Sequence, residues 1–437
     1  MGNASSSPDD GTLARIDALR IVSRWEESGD FPDRMFGSVP PYRRPFVMDL
    51  VYTTVRRIRA LAYALDNFVP RRPDNQRVWC ALVLGAAQII DMHGIPEHAA
   101  VASTVEAAKA FAGVRHAGFV NAVLRNLIRN LPAVRQALQS APLAVRASHT
   151  DAQVERWIAR WGAERAAAIC EWDDTPAHAT ALTLPGGPEV AAIVAAFLEA
   201  GVKATVHTGA PGRAVVIPHG SHIDSLPGFA EGLWTVQDPA TLQAVRLLGA
   251  QPGMRVWDAC AAPGGKSVQI AAAMGGKGLL AATDCWRDRL DPLRENFSRF
   301  RIDQAFARVF VADAKRASGR DLGGLGPFDR ILVDAPCSNT GVQRRRADAR
   351  WRFSPERLSS LASTQLAILE NAALRHLAPG GRIVYSTCSI EREENEGVAE
   401  EFLRRHPEFK MADSAFLVPP DKACDGAFAA AFELRDI

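Results

Sequence analysis

A chain of 437 residues holds roughly two to four domains of about 100 to 200 residues each, which excludes a single small binding module. Its 47% hydrophobic and 23% charged fractions are those of an ordinary globular protein, and 33 Gly and 27 Pro are too few and too scattered for a fibrous or disordered chain. A formal net charge of +2 singles out no partner, although a near-neutral sum can hide basic patches, and 44 of the 51 cationic side chains are Arg, the residue suited to bidentate phosphate contacts.

The cysteines, Cys80, Cys170, Cys260, Cys285, Cys337, Cys388 and Cys424, are odd in number, widely spaced and without a C-x-x-C pair. That pattern argues against a disulfide framework or zinc ribbon, and no metal site is expected. The opening residues lack the charged and apolar succession of a signal peptide, and no uncharged apolar run approaches the ~20 residues of a membrane span. The expectation is a cytoplasmic protein with reduced thiols and no membrane partner.

Residues 1–10 read as a flexible polar tail and 11–138 as an all-α domain. Trp79, Leu82, Val83, Ala86 and Ile89 or Ile90 recur at helical spacing before Gly94 and Pro96 stop the helix. Val101, Val105, Ala108 and Ala112 repeat the pattern, as do Phe119, Val120, Val123, Leu124 and Leu127, so five or more helices should share one core. Between Arg43 and Arg77 eight Arg stand against three Asp, a local +5 that can neutralise a phosphate backbone or form a solvated, internally paired helix face.

Residues 141–235 read as a small α+β connector, with a helical stretch around Val154 to Cys170 and short apolar runs at Ala179 to Leu184 and Ala214 to Ile217. From 236 to 437 strand-length apolar runs alternate with helical stretches: Met254 to Trp257, Gly278 to Ala282, Arg308 to Val311, Ile331 to Val333 and Arg382 to Tyr385. Such alternation predicts an α/β Rossmann-like domain with a parallel sheet.

Ligands of open α/β sheets bind at the carboxyl ends of strands, so the residues after each run carry the candidate chemistry. The first run leads into Asp258 and the small-residue loop Cys260, Ala261, Ala262, Pro263, Gly264, Gly265, Lys266, where glycines admit a ligand close to the backbone and a following helix N-terminus favours an anionic group. Neither G-x-G-x-x-G nor G-x-x-x-x-G-K-[ST] occurs at this turn, which argues against a dinucleotide or polyphosphate. Asp284 and Asp313 follow the second and third runs, where carboxylates can accept from ribose hydroxyls and an adenine amine. A nucleoside with a compact charged tail, such as S-adenosyl-L-methionine, matches this set.

The fourth run ends in Asp334, Pro336, Cys337 and Ser338, and the fifth in Ser386, Thr387, Cys388 and Ser389, so two thiols should point into one cleft. An exocyclic amine needs no thiol to accept a methyl group, whereas carbon 5 of a pyrimidine becomes nucleophilic only when a thiolate adds to carbon 6. One cysteine would add, the other would assist loss of the carbon 5 proton, and Asp334 would hydrogen-bond the ring edge; the residues alone leave open which thiol is which. Cys80, Cys170, Cys285 and Cys424 read as inert core residues.

With Glu394, Asn395 and Glu396, these stretches resemble the RNA 5-methylcytosine methyltransferases of the NOL1/NOP2/Sun family. The helical segment is similar to the NusB RNA-binding fold, most plainly at Asp91 to Ala100 and Gly118 to Arg125, and that combination resembles the bacterial branch acting on cytosine C5 of 16S ribosomal RNA. The resemblance implies that Cys260 to Lys266, Asp284, Asp313 and Asp334 hold the cofactor, that Cys388 is the nucleophile, and that Cys337 assists release. It implies small-subunit ribosomal RNA as partner. Departures are Ala179 to Leu184, in place of an Arg-x-Asn, and Ser148 to Asp151, in place of Ser-x-Pro-x-Trp.

Five Arg around Trp351 follow Cys337, and Arg344, Arg345, Arg350 and Trp351 are expected to bind RNA through phosphate pairing and base stacking, the alternative being an Arg/Asp network closing the cleft. Two other functions stay open at this point: a transfer RNA cytosine methyltransferase, and an RNA-binding assembly factor with a vestigial catalytic domain.

Overall fold

A computed structural model describes residues 9–435, so most of the expected polar tail lies outside the described residues. Asp9, at its end, caps the first helix by accepting from the Thr12 N–H at 2.6 Å. The chain divides into two compact units, one of residues up to Thr175 with Arg346–Arg352, the other of Pro176–Arg345 with Phe353 onward.

The first unit is helical: α1 (Asp10–Ser28), α2 (Arg44–Asp66), α3 (Gln76–Ile90), α4 (Glu97–Ala112), α5 (Ala117–Arg129), α6 (Leu131–Ser140), α7 (Leu143–Arg146), α8 (Asp151–Trp161) and α9 (Ala163–Asp174). Every residue of α3 from Val78 to Ile90 is buried, as a helix apolar all round requires, and α1, α2, α4 and α5 pack about it. Gly85 is the closest approach, where a Cβ would lie 2.6 Å from Leu124 Cδ1.

Several expectations are corrected here. The helical stretch from Val154 breaks at Gly162 (φ +85°) into α8 and α9, and both belong to this unit rather than to a connector starting at 141. Phe119 faces outward, 43% exposed. The local +5 is spent internally: Arg43 pairs with Asp17, Arg57 with Asp91 and Asp174, Arg59 with Asp151, and Arg72 with Glu26. These carboxylates come from outside the 43–77 window, so a count along the chain could not register them.

The second unit begins with β1 (Ala179–Thr183), α10 (Val190–Glu199), β2 (Thr205–Val206), β3 (Ala214–Ile217) and β4 (Trp234–Val236), a four-stranded antiparallel sheet in the order β2-β3-β1-β4. Trp234 and Phe197 of α10 fill its core edge to face.

There follow α11 (Leu242–Leu248), β5 (Arg255–Asp258), α12 (Gly265–Met274), β6 (Leu279–Asp284), α13 (Leu290–Arg299), β7 (Ala307–Val311), β8 (Phe328–Asp334), α14 (Pro355–His376), β9 (Leu377–Thr387), α15 (Glu396–Arg405), β10 (Phe409–Leu417) and β11 (Ala427–Leu434). Their sheet has the order β10-β11-β9-β8-β5-β6-β7. The five expected strands are present and pair in parallel. β11 departs from the all-parallel expectation, inserting antiparallel between β9 and β10.

Candidate active site

Strand order reverses at β5, since the chain runs outward through β6 and β7 and then returns to β8 on the other side. Such a reversal opens a crevice above the carboxyl ends of the strands. Asp258, buried at the end of β5, accepts from Ser267 Oγ at 2.6 Å, and burial pushes its carboxyl up to about 7. The loop from Cys260 then runs to α12, tied to β6 by the Ala261 N–H donating to Thr283 O at 2.8 Å. Gly264 sits at φ +108°, and a Cβ there would lie 2.6 Å from Leu293 Cδ1, so only glycine makes this turn.

Lys266, in the first turn of α12, donates to Asp334 Oδ2 at 2.6 Å. Burial pulls its ammonium down, and the facing Asp334 charge outweighs that and holds it above its ordinary value. Asp284 ends β6, accepting from the Trp286 N–H at 3.1 Å and pairing with Arg289 at 3.3 Å. Asp313, just past β7, accepts from the Lys315 N–H at 3.1 Å. The Ala312 N–H donates to Asp284 O at 3.1 Å, so both carboxylates stand on neighbouring strand ends. A glycine cradle, a helix N-terminus and two such carboxylates are what an adenosyl group with a charged amino-acid tail needs.

The thiols meet at the ends of β8 and β9. Cys337 Sγ lies 3.3 Å from Cys388 Sγ. Cys388 Sγ donates to Asn339 Oδ1 at 3.1 Å, while Asn339 Nδ2 donates to Cys337 O at 3.1 Å, which fixes the amide with its oxygen toward Cys388. Asp334 Oδ1 accepts from Ser386 Oγ at 2.8 Å, linking the strand ends beneath the thiols. The Cys337 thiol is held well above its ordinary range, first by its hydrogen bond to Cys388 and then by burial. At Gly341 a Cβ would fall 2.7 Å from Cys388 O, so this loop closes onto β9 only without a side chain.

The four expected RNA contacts are tied up inside the protein. Arg350, without exposed surface, donates from Nη1 to the carbonyls of Arg56, Ala147 and Ser148 and from Nη2 to that of Asp173. Trp351 packs on the helical core and donates from Nε1 to Val55 O at 2.8 Å. Arg345 pairs with Asp425 at 2.6 Å and Asp238 at 3.1 Å, and Arg344, 8% exposed, donates to Pro176 O. The guanidinium donors are thus engaged by backbone carbonyls at Arg344 and Arg350 and by the Asp238 and Asp425 carboxylates at Arg345, where an Arg/Asp network is present. Cys285 is likewise corrected, being exposed rather than core, whereas Cys80, Cys170 and Cys424 are buried. Asn339, whose amide oxygen accepts from Cys388, was not among the expected site residues.

The 16S rRNA methyltransferase RsmB/F family matches residues 245–431, and the NusB family matches residues 12–129. Ribosomal RNA small subunit methyltransferase B of Vibrio cholerae is 33% identical over 90% of each chain, and that of Xanthomonas campestris 32% identical over 96% of this chain and 97% of its own. The chain belongs to the ribosomal RNA small subunit methyltransferase B family. The fold of the crystal structure of PH0851 covers 98% of this chain and 99% of its own at a TM-score of 0.76 and 23% identity. A methyltransferase homolog from Pyrococcus horikoshii, 26% identical, covers 67% of this chain and 98% of its own at a TM-score of 0.56. The family is S-adenosyl-L-methionine-dependent, the cofactor that the crevice residues fit. Among the described residues no helix is long and apolar enough to cross a membrane.

Proposed function

We propose that this chain, an RNA methyltransferase by family, methylates carbon 5 of a cytosine in 16S ribosomal RNA, in the cytoplasm, through a covalent bond between Cys388 Sγ and carbon 6. The observation that carries this reading is the pair of thiols 3.3 Å apart beside the cofactor crevice. Transfer to an exocyclic amine gives such a pair no task.

S-adenosyl-L-methionine supplies an electrophilic methyl group when bound. Lys266, Asp284, Asp313, Asp334 and the loop from Cys260 would hold it. Cys388 gives up its proton to water, and the resulting thiolate sulfur bonds to carbon 6, which moves electron density onto carbon 5. Once carbon 5 carries the methyl group, its proton must leave before the carbon–sulfur bond can break. Cys337 takes that proton as a thiolate, once its own thiol proton has passed to water. Its own proton is held chiefly by the hydrogen bond to Cys388, and a thioether at Cys388 no longer exerts that hold. Asp334, anchored by Lys266 and Ser386, keeps carboxylate lone pairs for the pyrimidine edge. Attack perpendicular to the ring requires an unstacked base, which costs a few kcal/mol and least in a loop, so the target is a loop cytosine.

Bisulfite sequencing of ribosomal RNA from a deletion strain tests the reading: one protected cytosine in a 16S loop should be lost and should return with the intact gene. Cys388→Ala should not restore it, and Cys337→Ala should give protein that stays attached to RNA. Full restoration by Cys388→Ala, or a lost position in transfer RNA, contradicts it.

A further inference from the structure

We infer that Glu394 and Asn395 are positioning residues, each setting the loop of one thiol. The inference rests on the reading that Cys388 adds and Cys337 releases. Both side chains are wholly buried, where polar groups are costly unless fully partnered.

Their partners divide between the two cysteines. Glu394 Oε1 accepts from the Ser338 N–H at 2.8 Å and from Gln365 Nε2 at 2.9 Å, and Oε2 accepts from Ser338 Oγ. Gln365 Nε2 also donates to Pro336 O at 2.9 Å. Cys337 is thus held on both flanks, at Pro336 and Ser338, through one carboxylate. Asn395 Oδ1 accepts from Thr387 Oγ1 at 2.6 Å, and its Nδ2 donates to Ser389 O at 2.9 Å. Cys388 is held in the same way, at Thr387 and Ser389.

The pair is itself anchored. Tyr385 Oη, on β9, donates to Glu394 O and, at 3.0 Å, to Gln365 Oε1. The hydroxyls of Ser338 and Ser389 meet at 3.2 Å, so the two loops also touch directly. Because residues 394 and 395 are consecutive, one peptide link fixes the spacing of the two thiol loops. Among the described residues, Glu394 and Asn395 hydrogen-bond Ser338, Gln365, Thr387 and Ser389 and not Lys266, Asp284 or Asp313, so cofactor binding is separable from this duty.

The test measures, for the full chain with a 16S fragment, the steady-state fraction bound covalently to RNA, kcat, and Kd for S-adenosyl-L-methionine. Glu394→Ala should behave like Cys337→Ala, raising the covalent fraction about fivefold or more while kcat falls, and Asn395→Ala should lower that fraction about fivefold or more. Kd for S-adenosyl-L-methionine should stay within about twofold in both. Glu394→Gln keeps an acceptor for the Ser338 N–H and should restore most of the effect, and it carries the same comparison at smaller size if Glu394→Ala does not fold. Asn395→Asp, which loses the donor to Ser389 O, does so for the other arm. If both variants shift the covalent fraction in the same direction, or weaken cofactor binding as much as turnover, the pair is only a brace and the inference is overturned. If Cys337→Ala itself fails to accumulate adduct, the assignment of thiol roles is what fails.

Discussion

Replacing Arg350 by Met should destabilise the helical unit and leave RNA affinity nearly untouched. The wild-type guanidinium makes four hydrogen bonds of 3.0–3.3 Å to carbonyls of α2, the turn before α8, and α9. Hydrogen bonds to a charged group contribute about 1.5–3 kcal/mol each, a gross gain of about 6–12 kcal/mol. Burial of the guanidinium, which holds its pKa below the ordinary arginine value, takes back several kcal/mol. Removing one partner of a buried charged network costs about 3–5 kcal/mol, because the remaining groups stay buried and unpaired. In a unit of this size each kcal/mol moves the midpoint by about 2–4 °C, so the helical transition should fall on the order of 10 °C. Calorimetry of the full chain, with hydrogen exchange read in α2 and α9, measures the shift. RNA titrations over a salt series read the other possibility, a phosphate contact whose loss lowers the salt slope by about one. A melting profile within about 2 °C of wild type together with a lowered salt slope would refute the structural role.

Gly341→Ala should abolish most turnover with cofactor binding intact, since its Cβ, 2.7 Å from Cys388 O, must push the thiol loop away; comparing kcat with Kd for S-adenosyl-L-methionine checks this. Lys266→Met removes the cation facing Asp334 and should weaken kcat/KM by about 100-fold, with Lys266→Arg recovering little because a planar fork does not replace a point charge at 2.6 Å. The Asp258 carboxyl, at about 7 against an ordinary 3.8, binds its proton more tightly folded than unfolded. Its contribution is therefore full below about pH 4 and is lost as pH rises through about 7, at roughly 1.4 kcal/mol per pH unit. Asp258→Asn should flatten that part of the stability profile, and denaturant midpoints at pH 5, 6 and 7 that run parallel to wild type would count against it.

The cleft was legible because its chemistry lies at strand ends. The strands that close at Asp258, Asp284, Asp334 and Thr387 end within a residue or two of expectation, although β8 and β9 begin earlier than expected, at Phe328 and Leu377, and the sheet does the rest by bringing their ends together. What could not be read depends on partners far away in sequence. β11 is the Ala-rich stretch from Ala427, a composition that favours helix until β9 and β10 pair with it on both sides. Arg350 looks like a phosphate ligand until α2 and α9 present carbonyls from residues 56 and 173. Residues 346–352 join the helical unit although they lie between strands β8 and β9 in the chain, and nothing in their local pattern marks that return. Glu394 and Asn395 were visible as a motif, but their division between the two thiols is a matter of hydrogen-bond geometry alone.

The most direct measurement uses a 16S fragment with 5-fluorocytosine at the target position, incubated with the protein and S-adenosyl-L-methionine. Fluorine at carbon 5 cannot leave as a proton, so the bond between sulfur and carbon 6 persists and mass spectrometry of the digest identifies the cysteine that made it. The peptide containing Cys388 should carry the nucleotide, with Cys337 unmodified and no adduct without cofactor. An adduct on Cys337, or no cofactor-dependent adduct at all, would contradict the assignment of Cys388 as nucleophile.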